Sequence, residues 1–173
     1  MSKTITIAGQ KGGTGKSVTA VNLAASLALF EKNTLVIDCD PQGCSTKWCG
    51  IESVDYNCDI SSVLSGRAGF KDAVIKTEHT HLDIMPSGFN LFHVALKLAK
   101  NPGNEKILRL FLKDVEGEYD YIIIDSPSSY NFLSVSAMTA ADSLIVCMSV
   151  RYNSIDDFTS LLQMVKYIRA THE

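Results

Sequence analysis

Short apolar runs alternate along this chain with longer stretches of helical period. Thr4–Ala8, Thr34–Asp38, Leu82–Pro86, Tyr121–Asp125 and Ser143–Val150 are rich in Ile, Val or Leu and read as strands. Tyr121–Asp125 and Leu144–Met148 are apolar without alternation, which predicts strands buried on both faces, as in a parallel sheet covered by helices. Ser17–Phe30 carries Val18, Val21, Ala25 and Ala28 along one stripe and Leu23, Leu27 and Phe30 along another. A helix apolar on so much of its girth is expected to be packed in a core. Further helices are expected over Asp59–Leu64, Phe70–Lys76, Asn90–Lys100, Asn104–Val115, Phe132–Ala140 and Ile155–Thr171. Strand, helix, strand in this order implies right-handed crossovers and an α/β fold, a mostly parallel doubly wound sheet with helices on both faces. Asn101-Pro-Gly103 reads as a turn between helices, so residues 1–173 form one domain.

Composition narrows the classes. With 46% hydrophobic and 20% charged residues in 173, the chain can bury a core and is not globally disordered. A formal net charge of −3 argues against a surface basic throughout, while leaving room for a local basic patch. No apolar run is long enough to span a membrane, and Met1-Ser2-Lys3-Thr4-Ile5 begins no secretory signal, so a cytoplasmic protein is expected. Cys39, Cys44, Cys49, Cys58 and Cys147 are odd in number and include no Cys-x-x-Cys pair. They are expected to be plain thiols, neither a disulfide framework nor a zinc site.

The most informative residues follow the first strand: Gly9-Gln-Lys-Gly-Gly-Thr-Gly-Lys-Ser17. A strand that ends in a glycine-rich loop and opens a helix is a ready anion site, because backbone N–H groups and the helix N-terminus point into it. Gly12, Gly13 and Gly15 allow close backbone approach and positive φ. Lys16 is expected to bind the β- and γ-phosphates, and the Ser17 hydroxyl to complete a Mg²⁺ shell. The usual phosphate-loop pattern has glycine at position 10, where this chain has Gln10, and a second lysine, Lys11, stands at the loop entrance. Such a string arises by chance in roughly one chain in 10⁴ or fewer.

Lys11-Gly-Gly-Thr-Gly-Lys-Ser17, followed by Val18-Thr-Ala-Val-Asn-Leu-Ala24, resembles the deviant Walker A box of ParA/MinD-type ATPases. Gln10-Lys-Gly-Gly13 is closer to ParA than to MinD. The resemblance continues through Val36-Ile-Asp-Cys-Asp-Pro-Gln-Gly43 (the family's switch I), Ile84-Met-Pro-Ser87, Tyr119–Asp125 with Pro127 (Walker B) and Ala140-Ala-Asp142. It implies a P-loop NTPase that binds ATP or ADP through Gly12, Gly13, Thr14, Gly15, Lys16, Ser17 and Val18. Ser17, Asp38 and Asp125 would serve Mg²⁺, Asp38 through its waters, and Asp40 would position the attacking water. Lys11, the signature lysine, would reach across a nucleotide-sandwich dimer to the partner's phosphates, as an added cation does in phosphoryl transfer. The implied protein hydrolyses ATP slowly, dimerises with ATP, and partitions a plasmid, chromosome or other cargo with a ParB-like activator.

Other readings stay open. One is a nucleotide-binding positioning switch with little turnover, and another a P-loop amidoligase or synthetase such as the cobyrinic acid diamide synthase group; Lys11 favours the dimeric ATPase. Non-specific DNA, and with it a nucleoid association, is an open partner. Family members usually continue past a helix like Ile155–Thr171, so a missing C-terminal segment with its adenine contacts also stays open. No cysteine closely follows Asp125, which argues against an iron–sulfur role. The last helix carries Phe158, Leu161, Leu162, Val165 and Ile168 but only Lys166 and Arg169 as basic residues, so a packed helix is expected over a membrane one. Cys44 stands where relatives often have Asn or Asp, Ser128 where many have proline, and Cys147 and Val150 where prolines are common.

Overall fold

The computed structural model describes residues 2–52, 54–149 and 154–172, the side chains of 154–157 and 172 excepted. Its strands are β1 (Lys3–Ala8), β2 (Thr34–Asp38), β3 (Ile75–Lys76), β4 (Leu82–Met85), β5 (Tyr121–Asp125) and β6 (Ser143–Val146). They form one sheet in the order β3-β4-β2-β5-β1-β6, parallel throughout except for β3 at one edge. The helices are α1 (Lys16–Leu29), α2 (Cys44–Trp48), α3 (Ile60–Leu64), α4 (Asn90–Leu98), α5 (Ile107–Leu112), α6 (Phe132–Ala140) and α7 (Ser154–His172).

The pleat divides each central strand between two cores. Leu35, Ile37, Ile122 and Ile124 point into the layer made by α3, α4, α5 and α6. Val36 and Ile123, one residue out of phase, point to the opposite layer, where α1 lays Ala20, Ala24 and Ala28 on the sheet. A smaller cluster joins Ala8 and Met138 to Leu161 and Ile168 of α7. The central strands are therefore covered on both faces, as the unbroken apolar run of Tyr121–Asp125 predicts for β5; the same expectation for Leu144–Met148 fails, since β6 lies at the sheet edge.

Four expectations need correction. α1 buries Lys16 and an alanine stripe, with Leu23 and Leu27 half-buried beside it, while Val18 and the C-terminal Leu29 and Phe30 are exposed: small residues every four positions let the backbone lie close to the sheet, so only part of its apolar girth enters the core. Phe70–Lys76 is not a helix. Phe70 sinks into the core, Lys71–Ala73 makes one 3₁₀ turn, and Ile75 pairs antiparallel with Ile84. β6 ends earlier than expected and is only half-buried, since β1 is its one strand neighbour among the described residues. Val150, at the predicted strand's far end, lies outside the described residues. Finally, α2 was not anticipated. It follows the turn at Gly43, whose φ is 64°.

The register brings the C-terminal ends of β1, β2 and β5 level: Asp38 stands opposite Asp125, and Asp125 opposite Ile7. Open α/β sheets bind ligands beyond these ends.

The difference between β5 and β6 is measurable. Ile123→Ala removes a fully buried side chain and should destabilise by about 2–5 kcal/mol. Ile145→Ala, at a partly exposed edge position, should cost less than about 1 kcal/mol. Urea midpoints of the two variants check this; equal losses would mean that β6 is as enclosed as β5.

Candidate functional site

The loop from Gly9 to Ser17 leaves the end of β1 and enters α1 through Gly15, whose φ is 88°. Gly13 also has positive φ, at 74°. Gly9 is required for a different reason: a Cβ there would lie 2.6 Å from the backbone carbonyl oxygen of Cys147, at the end of β6. Inside the loop, Lys16 Nζ donates to the carbonyl of Lys11 at 3.0 Å and is itself buried. The Thr14 hydroxyl donates to the same carbonyl at 3.1 Å. Lys11 is exposed at the loop entrance, Ser17 half-buried at the start of α1, and Val18 exposed just after it. The loop thus holds its inner lysine over its own backbone and presents the outer one at the surface.

Three carboxylates converge beyond the strand ends. Asp38 is fully buried: its Oδ1 accepts from the Asp40 amide at 3.0 Å, and its Oδ2 from the amide and hydroxyl of Thr46, both at 2.8 Å. Burial, with Asp125 facing it, pushes its pKa from 3.8 up to about 7 despite those bonds. Asp125 is equally buried. The Ser45 hydroxyl donates to its Oδ2 at 2.6 Å, whereas Oδ1 accepts no hydrogen bond. Its pKa is raised by burial first, with Ser17, Ser45 and Lys16 pulling against that rise and Asp40 adding to it. Asp40 itself is half-exposed and caps its own turn, accepting from the Gln42 amide at 3.0 Å.

Reasoning from the sequence overlooked the hydroxyls that hold this arrangement. Ser45 and Thr46 tie the segment after Gly43 down onto Asp125 and Asp38. Ser87 then closes the network: its amide donates to Thr46 Oγ1 at 3.0 Å, its hydroxyl to the Asp40 carbonyl at 2.8 Å, and its own carbonyl accepts from Tyr56 Oη at 3.1 Å. Consecutive serine and threonine after a glycine turn was the available signal. Cys44, just before them, is a half-buried free thiol. Ser128 lies against the loop, 3.9 Å from where a Cβ on Gly12 would sit.

The donor set suits a hard divalent cation. Asp125 Oδ1 is a buried, unpaired carboxylate oxygen, and Ser17 offers a hydroxyl beside it. Among the described residues no group of three or more His, Cys, Asp or Glu could hold a metal on its own. One buried carboxylate oxygen with a hydroxyl beside it fits Mg²⁺, which is commonly held by one or two protein oxygens plus phosphates and waters. No helix among the described residues is long and apolar enough to cross a membrane.

A glycine phosphate loop opening a helix at the end of a central parallel strand, with a buried carboxylate across from it, defines a P-loop nucleotide-binding domain. A family model described as an AAA domain matches residues 2–173. The chain is 36% identical over 169 residues to the sporulation initiation inhibitor protein Soj of Bacillus subtilis, covering 98% of this chain and 67% of that protein. It is 36% identical over 171 residues to the chromosome partitioning protein ParA of Caulobacter vibrioides, covering 98% and 64%. Among solved structures, McdA from Cyanothece matches with TM-score 0.93 at 27% identity, over 99% of this chain and 68% of that one. Cobyrinic acid a,c-diamide synthase from Mycobacterium smegmatis, crystallised with an ATP analog and magnesium, matches with TM-score 0.94 at 25% identity, over 100% and 70%. The chain belongs to the ParA/Soj family of P-loop ATPases, and it spans about two-thirds of the length of these curated relatives.

Asp38 makes the site pH-sensitive in a definite direction. The unfolded chain releases this proton near 3.8, whereas the folded protein holds it to about 7. Folded protein binds the extra proton between those values, so this group's contribution to stability falls as pH rises from about 4 to about 7 and is level above. Asp38→Asn, free of that charge, should therefore gain stability relative to wild type across the same window. Urea titrations in EDTA at several pH values measure it, and a constant difference between the two proteins would exclude Asp38 as the source.

Proposed function

We propose that this chain binds ATP with Mg²⁺, hydrolyses it slowly, and dimerises while ATP is bound, acting in the partitioning or positioning of a plasmid, chromosome or other cargo. The observation that carries the reading is Asp125 Oδ1, a buried carboxylate oxygen with no hydrogen-bond donor, at the mouth of the phosphate loop. A group that costly to bury without a partner is explained by a cation that arrives with the nucleotide.

In this reading Gly12, Gly13, Thr14, Gly15, Lys16, Ser17 and Val18 hold the nucleotide. The loop amides and the helix N-terminus face its phosphates, and Lys16 exchanges the Lys11 carbonyl for a phosphate oxygen. Ser17 and Asp125 would hold Mg²⁺. Asp38 would support it through water, since its oxygens already accept three bonds from Asp40 and Thr46. Mg²⁺, when bound, neutralises charge on the transferring phosphoryl group. Asp40, half-exposed beyond these buried groups, orients the attacking water, and its turn is held in place through Ser87. Lys11 supplies a cation to the partner's phosphates, which makes ATP the condition for dimerisation. A ParB-like activator, and non-specific DNA, are the macromolecular partners this reading implies, in the cytoplasm or on the nucleoid. The likeness to cobyrinic acid a,c-diamide synthase favours a second reading, a P-loop synthetase. Such enzymes do not generally depend on a lysine at the position of Lys11.

Three variants separate the roles. Lys16→Ala should lose most affinity for both ATP and ADP in a nucleotide titration. Asp40→Ala should bind ATP and dimerise, yet turn over at least about tenfold slower, a barrier higher by about 1.4 kcal/mol. Lys11→Ala should keep ADP affinity near wild type but lose the ATP-dependent dimer in light scattering. A Lys11→Ala protein that dimerises with ATP as wild type does would remove the trans role and with it the preference over a synthetase.

A further inference from the structure

We propose that the groove between α3 and α4 docks an acidic amphipathic helix from a protein partner. The floor of this groove is apolar, made by Leu64 at the end of α3 with Val94 and Leu98 of α4, and its volume is about 510 Å³. The two charged residues that line it, Arg67 and Lys97, are both basic and both exposed, and no Asp or Glu lines it. In a chain of formal net charge −3 that is a local reversal of sign.

An exposed aromatic cluster of α4 adjoins the groove through His93. His93 lines the groove and packs edge-on against Phe89 at 5.4 Å and Phe92 at 5.7 Å. Phe89 and Phe92 are 69% and 46% exposed, and Leu96, one helical turn further along α4, is 54% exposed. A run of large apolar side chains in water beside an apolar groove marks an interaction surface. Apolar anchors at i, i+3, i+4 and i+7 on a partner helix would match the apolar floor and the exposed cluster beside it, and acidic residues flanking them would meet Arg67 and Lys97.

The alternative polyanion, nucleic acid, fits this face less well. Affinity for a phosphate backbone comes from neutralising several phosphates at once, and two cations above an apolar floor supply little of it. The groove lies away from the phosphate loop but not apart from it. Phe89 begins two residues after Ser87, which holds both the Asp40 carbonyl and Thr46.

The test uses the full 173-residue chain without nucleotide, so its outcome is independent of the ATPase reading. The probe is a fluorescein-labelled helix of about 18 residues, five turns, with leucine at the anchor positions and glutamate elsewhere. A second peptide replaces every glutamate by lysine. Anisotropy titration should give micromolar binding of the glutamate peptide, weakening with added salt. Arg67→Glu with Lys97→Glu should weaken it by at least about tenfold and reverse the preference toward the lysine peptide. Phe92→Ser should weaken the glutamate peptide without reversing the preference. All three positions are exposed, so the variants should fold, and circular dichroism verifies that they do. The proposal fails if the glutamate peptide does not bind, if both peptides bind wild type alike, or if the charge reversal leaves binding unchanged. It also fails if a short DNA duplex binds in a manner abolished by the charge reversal and excludes the glutamate peptide from a groove that Phe92→Ser does not affect.

Discussion

Two carboxylates without access to water stand side by side at the ends of β2 and β5, and the site is organised around the cost of keeping them there. The parallel register fixes Asp38 opposite Asp125, so neither can move away without breaking the sheet. A buried charge needs donors or a counter-charge, and two like charges raise each other's pKa. Asp38 meets the need locally, by drawing the Asp40 amide and both polar groups of Thr46 onto itself. Asp125 meets half of it with Ser45 and leaves one oxygen unpaired. The fold of the segment from Asp40 to Trp48 follows from these bonds: a turn through Gly43, then a single short helix whose second and third residues, Ser45 and Thr46, carry the hydroxyls required. That short helix has no periodic apolar face to justify it otherwise. Lys16 offsets part of the negative charge, but its ammonium is committed to the Lys11 carbonyl.

Which parts of this were legible in the sequence depended on how local their causes are. The phosphate loop was legible because glycines, lysine and serine at fixed spacing carry their own conformational requirements. Four central strands were legible because each is a short run rich in Ile, Val or Leu, and β5 most plainly because burial on both faces leaves it apolar without alternation. The expected boundaries of α6, Phe132–Ala140, coincide with the observed ones because Asn131 and Ser134 form a reciprocal cap that sets the start within four residues. The failures share a tertiary cause. Phe70–Lys76 has helical residues, yet Ile75 is claimed by β4. The bonds from Ser45 to Asp125 and from Ser87 to Thr46 span 80 and 41 positions. No local pattern announces a hydroxyl that is needed so far away.

Gly9 and α1 show the same limit from the other side, where the residue was noticed and the reason was not. Gly9 reads as one more glycine of a phosphate loop, but the structure needs it because β6 passes 2.6 Å from its missing Cβ. β6 is thereby pressed against the loop entrance, and its partial exposure coexists with a position fixed by β1 on one side and the loop at its end. α1 reads as a helix destined for a deep core. Its alanines are what the sheet accepts, Leu23 and Leu27 are half-buried at the edge of that contact, and Val18, Leu29 and Phe30 face solvent.

Ser87 extends these constraints beyond the site. Its amide, hydroxyl and carbonyl bind Thr46, Asp40 and Tyr56 in turn, so all three of its polar groups are spent on the segments that frame the carboxylates. Its carbonyl also sits 3.0 Å from where a Cβ on Gly43 would be, which keeps the turn and β4 in close contact and reserves Gly43 for glycine twice over. Any displacement of Asp40 must strain or break at least one of these bonds. Gly88 and Phe89 come next in the chain and lead into α4. A rearrangement of the switch segment is therefore coupled first to the N-terminal end of α4, by covalent continuity and three hydrogen bonds rather than by a distant path through the core. The fold thus places the first residue of its exposed aromatic cluster, Phe89, two residues after the element that answers to the buried charge.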